Sequence, residues 1–88
     1  MAKFNFNKTK LPVVYDKNGN GGYIVKLKDC SYGEFIRIVS KNGSIQNRVY
    51  TLDEYDKREK KYWCGAWDNI VYGRYLKGDT LVFVGFTF

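Results

Sequence analysis

The stretch that decides the fold is FIRIVSKNGSIQNRVYTL, residues 35–52. Two runs rich in Ile, Val, Phe and Tyr flank Asn42-Gly43. Such runs favour strands because β-branched and aromatic side chains pack well on a pleated surface. An Asn-Gly pair between them is a strong hairpin signal, since both residues tolerate positive φ in a type I′ turn. The sequence therefore predicts an antiparallel hairpin here.

The segments on either side continue the pattern of short strands. Apolar residues recur with period two or in short runs, which is typical of strands, and the glycine-rich residues 17–22 predict a turn. Lys77-Gly78-Asp79 predicts another turn, which leads into an apolar strand of the buried kind. The further predicted strands are KFNFN (residues 3–7), LPVVYD (11–16), YIVKLKD (23–29), YWCGAW (62–67) and TLVFVGFTF (80–88).

Two segments predict helices instead. Thr51-Leu52-Asp53-Glu54 fits a capping box before a charged stretch, which indicates a short helix over about residues 52–61. Asp68 is placed to cap a second short helix, DNIVYGRYL, although Gly73 weakens it. The predicted fold class is therefore mainly β: a small six- to seven-stranded open barrel with one or two short helices, forming a single domain over residues 1–88.

Composition excludes several classes of function. The chain has 88 residues, 15 Lys and Arg, nine Asp and Glu, and no histidine, so the commonest general base and metal ligand is absent. Cys30 and Cys64 are too few for a zinc site or a disulfide framework, and we expect reduced, buried thiols. No apolar run is long enough to span a membrane. We predict an intracellular protein (cytoplasmic or nuclear) that is not an enzyme and holds no metal or cofactor.

The positive charge is unevenly distributed along the chain. Residues 1–50 contain nine Lys and Arg against three acids, whereas residues 51–88 contain six of each, so the net charge of +6 comes from the first part. A localised positive charge favours an anionic partner, with nucleic acid the first candidate. Lysine and arginine neutralise phosphates, and Asn, Gln and Arg also contact base edges. The predicted nucleic-acid-binding residues are Lys3, Lys8, Lys10, Lys26, Lys28, Lys41, Asn42, Gln46, Asn47 and Arg48.

The order of these motifs resembles the DNA-binding B3 domain of plant transcription factors and the related recognition domains of some bacterial restriction enzymes. The resemblance runs from LPVVY through YIVKLKDCSYGEFIRI to AWDNIVYGRYLKGDTLVF, over about residues 11–84. It implies a seven-stranded pseudobarrel that places two arms in the DNA major groove. One arm would be Lys8-Thr9-Lys10 and the other the segment at residues 41–48. The matching positions are Trp67, Ile70, Leu76, Gly78, Asp79, Leu81 and Phe83.

Two other functions are compatible with the sequence. A small phage or mobile-element protein that inhibits a host defence enzyme by protein–protein contact would have a similar composition, rich in Lys, Asn, Tyr and Ile. A barrel that stacks the bases of single-stranded DNA or RNA would use the abundant tyrosine and phenylalanine residues. Most of the 16 aromatic residues are needed for the core of so small a domain, and no aromatic stripe marks a stacking surface. Duplex DNA binding is the leading hypothesis.

Overall fold

Within residues 12–86, which the computed structural model describes (the side chain of Ile70 excepted), seven strands form one antiparallel sheet. Their spatial order is β1-β2-β7-β3-β4-β5-β6, so the predicted mainly β architecture is confirmed. The strands are β1 (Val14–Tyr15), β2 (Gly21–Lys26), β3 (Phe35–Val39), β4 (Ile45–Asp56), β5 (Lys61–Ala66), β6 (Asn69–Leu76) and β7 (Leu81–Val84), and a 3₁₀ helix (Leu27–Asp29) follows β2.

The strand β7 lies in the interior of the sheet, between β2 and β3. Phe83 is level with Ile24 on one side and with Arg37 on the other. Val82, Phe83 and Val84 are fully buried, as the continuous apolar run predicts. A strand distant in sequence from its neighbours therefore joins the first hairpin to the rest of the sheet.

The hydrophobic core lies on one face of the sheet. Successive side chains of a strand point to opposite faces, so Ile36 and Ile38 of β3 face the core while Arg37 faces away. Burying one such side chain contributes roughly 1.5–3 kcal/mol. Cys64 is fully buried within this core, in keeping with its predicted role as a small apolar residue. The buried core residues are Val25, Leu27, Ile36, Ile38, Tyr50, Leu52, Cys64, Ala66, Leu76, Val82 and Val84.

The predicted hairpin is confirmed, but its turn differs from the predicted type. The strands β3 and β4 pair antiparallel, with Val39 opposite Ile45. Within the described residues Lys60 alone among non-glycine residues has positive φ, so Asn42 does not adopt the type I′ conformation. Gly43 alone turns the chain, with φ of 88°, and its N–H donates to the Ser40 carbonyl at 2.8 Å. Three residues, 41–43, therefore form the loop, a length that needs a single left-handed residue.

The helix predicted over residues 52–61 is wrong. Leu52 is 2% exposed and lies opposite Cys64, so β4 continues through Asp56 and pairs with β5. The charged residues form the turn between these strands, where the Asp56 side chain accepts hydrogen bonds from the N–H groups of Arg58 (2.8 Å) and Glu59 (3.1 Å). Burial of the apolar face of β4 outweighs the weak helix propensity of the charged residues.

The second predicted helix, residues 68–76, is also wrong. Asp68 lies in the turn after β5, and residues 69–76 form β6, which pairs antiparallel with β5. Gly65 and Gly73 face one another in this pair. The β-branched and aromatic residues of VYGRY outweigh the capping signal at Asp68 because β5 offers them a partner. The 3₁₀ helix Leu27–Asp29 is the one helix within residues 12–86.

The sheet is open, since β1 and β6 form its two edges and are not paired with each other. The loop from β6 to β7 nevertheless bonds to the end of β2 and the 3₁₀ helix. The N–H of Leu27 donates to the Thr80 carbonyl at 2.9 Å, and that of Lys28 donates to the Gly78 carbonyl at 3.0 Å. The predicted turn at residues 77–79 is confirmed, and the strand predicted at residues 3–7 lies outside the described residues.

Candidate nucleic-acid interface

The predicted binding residues fall into three groups in the structure. Lys3, Lys8 and Lys10 lie outside the described residues. Lys26, Lys28 and Lys41 are exposed near one end of the sheet. The remaining four, Asn42, Gln46, Asn47 and Arg48, lie on the turn of the β3–β4 hairpin and at the start of β4, and all are exposed. The structure thus brings part of the predicted set together and adds residues that the sequence did not indicate.

Lys41 and Lys77 line the same hollow, which has a volume of about 390 Å³. Lys41 comes from the β3–β4 turn and Lys77 from the β6–β7 turn, so residues distant in sequence meet here. Asp79 is the carboxylate that lines this hollow, whose other walls are formed by Val39, Ser40, Thr80 and Leu81. Two exposed ammonium groups beside a concave surface suit an anionic group.

Lys26 and Lys28 extend this positive surface. Lys26 lies opposite Leu81 in the β2–β7 pair, and Leu81 also lines the hollow. The Lys28 ammonium is 3.4 Å from the Asp79 carboxylate, with side-chain exposures of 51% and 77%. An exposed pair of this kind contributes little to stability, so Lys28 remains available to a phosphate. We call Lys26, Lys28, Lys41 and Lys77 the basic end.

The start of β4 contains an irregularity that positions Gln46 and Asn47. Two residue steps on β3, from Arg37 to Val39, face four steps on β4, from Val49 back to Ile45. Such bulges leave backbone groups unpaired and redirect side chains. The Gln46 carbonyl accepts from Arg37 Nε at 2.8 Å, and the Gln46 amide donates to Ser40 Oγ at 3.1 Å. The bulge therefore holds two exposed amide side chains in defined positions.

Arg37 organises this region from the face opposite the core. Its guanidinium is 2.7 Å from the Asp16 carboxylate, and the exposures of these two side chains are 7% and 1%. It also bonds to Asn47 Oδ1 at 3.4 Å and lies 5.4 Å from the Phe83 ring centroid and 5.5 Å from that of Phe86. Arg37 is thus one of the chain's fifteen bases but is structural, since its charge is buried and paired.

Asp16 is held by the loop between β1 and β2. Its Oδ1 atom accepts from the backbone N–H groups of Asn18 at 2.9 Å and Asn20 at 2.8 Å. The hydrogen bond from Arg37, assisted by the bonds from Asn20 and Asn18, lowers the pKa of Asp16 from 3.8 to about 2. Asp16 is therefore ionised at neutral pH and fixes the guanidinium beneath the hairpin.

Arg48 is directed towards the β5–β6 hairpin. Its guanidinium carbon lies 4.7 Å from the Tyr72 ring centroid, and Nη1 is 3.4 Å from Asp68 Oδ1. The side chains of Arg48 and Asp68 are 46% and 55% exposed, so the pair is exposed to water. Trp67, in the turn of that hairpin, is 53% exposed, and its backbone N–H donates to the Val49 carbonyl at 3.1 Å.

Sequence reasoning missed Lys77 and Tyr72. Lys77 belongs to the part of the chain whose charges balance, so net charge gave no reason to select it. Tyr72 lies in the segment predicted as a helix, whereas the structure places it on β6, beside Arg48. Only the pairing of β4 with β5 and of β5 with β6 brings Tyr72 next to Arg48. No local signal in the sequence indicates that arrangement.

The two thiols are poorly suited to nucleophilic chemistry. Burial, together with the negative charges of Glu34 and Asp29, raises the pKa of Cys30 to about 12. Burial and the charge of Asp53 raise the pKa of Cys64 to about 12 as well. Both groups are therefore protonated at neutral pH, whereas the thiolate is the nucleophilic form.

No helix in the part of the chain that the structure describes is long and apolar enough to cross a membrane.

No protein-family model matches the chain, and no curated protein or solved structure is significantly similar to it. The B3 resemblance therefore remains a prediction that rests on the sequence motifs named above.

Proposed function

We propose that this chain is a non-catalytic, intracellular module that binds nucleic acid, most favourably duplex DNA, through the basic end and the hairpin at residues 41–48. The observation that carries the proposal is the convergence of lysines from three separate segments on one concave end of the sheet. Lysine contacts to phosphates supply most of the affinity in non-specific DNA binding and much of it in specific binding. A B3-like pseudobarrel is the fold that we propose for the whole chain.

Under this proposal, the side chains that the β4 bulge holds in position read the base sequence. Asparagine and glutamine make bidentate contacts to adenine in the major groove, and each good contact contributes roughly 1–3 kcal/mol of discrimination. Gln46 and Asn47 are exposed but tethered, by Ser40 and Arg37 respectively. Tethering reduces the rotamer entropy lost on binding. Phosphate contacts from the basic end would set the orientation, and these amides would contact base edges.

The basic end is tested by reversing its charge. We expect Lys41→Glu together with Lys77→Glu to weaken duplex binding by at least tenfold at low salt, because two phosphate contacts become repulsive. The matched control is Lys57→Glu together with Arg58→Glu, which changes the net charge by the same amount. Both residues are exposed in the β4–β5 turn, and Lys57 lines a different hollow. Fluorescence anisotropy with a labelled duplex measures the affinities.

The competing functions give different results in the same assay. Equal loss of affinity in the Lys57/Arg58 variant would show that net charge alone matters. Tighter binding of single-stranded DNA or RNA than of duplex DNA would favour the single-strand hypothesis. Absence of binding to every nucleic acid at low salt, with one stoichiometric protein partner in a pull-down, would instead support the protein inhibitor.

A further inference from the structure

The end of the β5–β6 hairpin exposes large apolar side chains beside cationic groups. Val71 is 87% exposed, Trp67 is 53% exposed and Tyr72 is 45% exposed. Arg48 and Arg74 are also exposed, and Arg48 lies over the Tyr72 ring. We call Arg48, Trp67, Val71, Tyr72 and Arg74 the aromatic patch. These exposed apolar residues are neighbours along one hairpin, and grouped exposed apolar residues mark an interaction site more often than isolated ones do.

A second bulge produces this exposure. One residue step on β5, from Gly65 to Ala66, faces four steps on β6, from Gly73 back to Asn69. The extra residues bend the edge strand, and Asn69 Oδ1 accepts from the Val71 N–H at 3.2 Å to hold the bend. Because β6 is an edge of the sheet, no further strand of the described chain covers this region.

The Tyr72 ring lies beside Arg48 and Tyr50 and is still 45% exposed. Arg48 stacks on it at 4.7 Å, and the Tyr50 ring lies 6.4 Å away with an interplanar angle of 30°. Tyr50 is only 3% exposed and is fixed in the core. Burial raises the pKa of Tyr50, and its hydrogen bond with Tyr72 raises it further, so the Tyr50 phenol is neutral at physiological pH.

We infer that the aromatic patch is a stacking site for one unpaired base of a nucleic acid. Unpaired bases stack on tyrosine and tryptophan rings and on arginine planes, and the patch combines these groups. Its two arginines against one carboxylate, Asp68, complement the phosphates that flank such a base. An uncharged protein surface would satisfy the apolar groups and leave the arginine charges without a counterpart.

This inference rests on the proposed nucleic-acid binding and refines its substrate. Arg48 belongs both to the hairpin strand that we assign to duplex contact and to the aromatic patch. The preferred ligand would then be duplex DNA with an unpaired base at an end, flap or bulge, since duplex and single-stranded parts would meet different surfaces of the same molecule.

The test compares three labelled DNAs by anisotropy: a blunt duplex, the same duplex with a short thymidine overhang, and that duplex with an abasic overhang of equal length. We expect the thymidine overhang to bind about tenfold more tightly than either of the others, as one stacked base would provide. The abasic overhang keeps the phosphates, so it separates stacking from charge. Equal affinity for the thymidine and abasic overhangs would overturn the inference.

Variants locate the effect. Tyr72→Leu should abolish the preference for the thymidine overhang, whereas Tyr72→Phe, which keeps the ring, should retain it. Tyr32→Leu is the matched control, because Tyr32 is 68% exposed in the loop before β3. Preference that survives Tyr72→Leu in a folded protein would overturn the assignment.

Blunt-duplex binding without an overhang preference would overturn this inference and leave the proposed function intact. Overhang preference without blunt-duplex binding would overturn only the duplex part of the proposed function. Failure of all three DNAs to bind would overturn both.

Discussion

Arg37 shows how one buried charge connects three parts of the chain. It joins the β1–β2 loop through Asp16, the β4 bulge through Gln46, and the C-terminal aromatic residues through Phe83 and Phe86. A buried ion pair adds little to stability compared with an apolar pair, but loss of one partner leaves the other uncompensated. The pair therefore defines the position of the candidate DNA-binding hairpin more than it stabilises the fold.

The Asp16–Arg37 pair predicts a loss of stability in acid. Because the folded-state pKa of Asp16 is about 2, below its ordinary 3.8, the stabilising contribution is fully present above pH 3.8 and declines as the pH falls through about 2. Asp16→Asn should lower stability at neutral pH, and the difference from the original protein should shrink in that acid range. Urea unfolding at a series of pH values measures both, and a pH-independent difference would contradict the assignment.

Lys60 occupies an unfavourable backbone conformation. Its φ of 57° is in the left-handed region, and its N–H closes the β4–β5 turn on the Asp56 carbonyl at 2.8 Å. Lys60→Gly should therefore raise the free energy of unfolding by about 0.5–1 kcal/mol, since glycine adopts this conformation without strain. The neighbouring Glu59→Gly, at a residue with negative φ, serves as the control and should be neutral or destabilising. The midpoints of denaturant unfolding of the two variants and of the original protein measure these changes in stability, and an unchanged or lower midpoint for Lys60→Gly would contradict the prediction.

The two facing glycines of β5 and β6 have different spatial requirements. A Cβ on Gly73 would lie 2.5 Å from Trp63 Cζ2 and 2.8 Å from the Cys64 carbonyl oxygen, whereas one on Gly65 would meet only Trp63 Nε1, at 3.9 Å. Gly73→Ala should destabilise the protein by about 1–3 kcal/mol, as overpacking does. Gly65→Ala should be tolerated. A melting temperature that falls equally in both variants would contradict this account.

Sequence patterns predicted the elements that depend on local information. The strands around Asn42-Gly43 and the turn at Lys77-Gly78-Asp79 are signalled by adjacent residues, and the structure contains them. The segment after Thr51 carries an equally local helix signal, but Leu52 gains more by facing the core from β4. Local propensity was a poor guide there because a paired strand was available, which only the tertiary structure shows.

The candidate site was predictable only where its charged and polar residues lie close together in the sequence. Lys41, Asn42 and Gln46 follow one another in a polar hairpin, and the structure keeps them exposed on it. Lys77 joins them through the loop that crosses from one edge of the sheet to its centre, and Tyr72 meets Arg48 across β5. Neither the charge pattern nor the hairpin pattern singled out Arg37. Its side chain is buried against Asp16, which lies in a loop distant in sequence.

Across the whole molecule, the distribution of charge predicts how binding depends on salt. If Lys26, Lys28, Lys41 and Lys77 each neutralise one phosphate, the logarithm of affinity should fall with the logarithm of salt concentration with a slope of about −3.6. Lys77→Ala should reduce that slope by about 0.9, while Lys57→Ala should leave it unchanged. A titration with sodium chloride measures the slopes, and an identical slope for all three proteins would exclude the basic end as the phosphate contact.

The interior position of β7 has a consequence for synthesis on the ribosome. The strands β2 and β3 border β7 on either side and are translated long before it. Until residues 81–84 emerge from the exit tunnel, the β1–β2 pair and the β3–β6 meander have no shared strand between them. The nascent chain would then expose the apolar edges of both halves, so the sheet should be completed only after β7 has emerged. The same arrangement makes β7 a natural strand for fragment complementation, in which a peptide supplied in trans would complete the sheet.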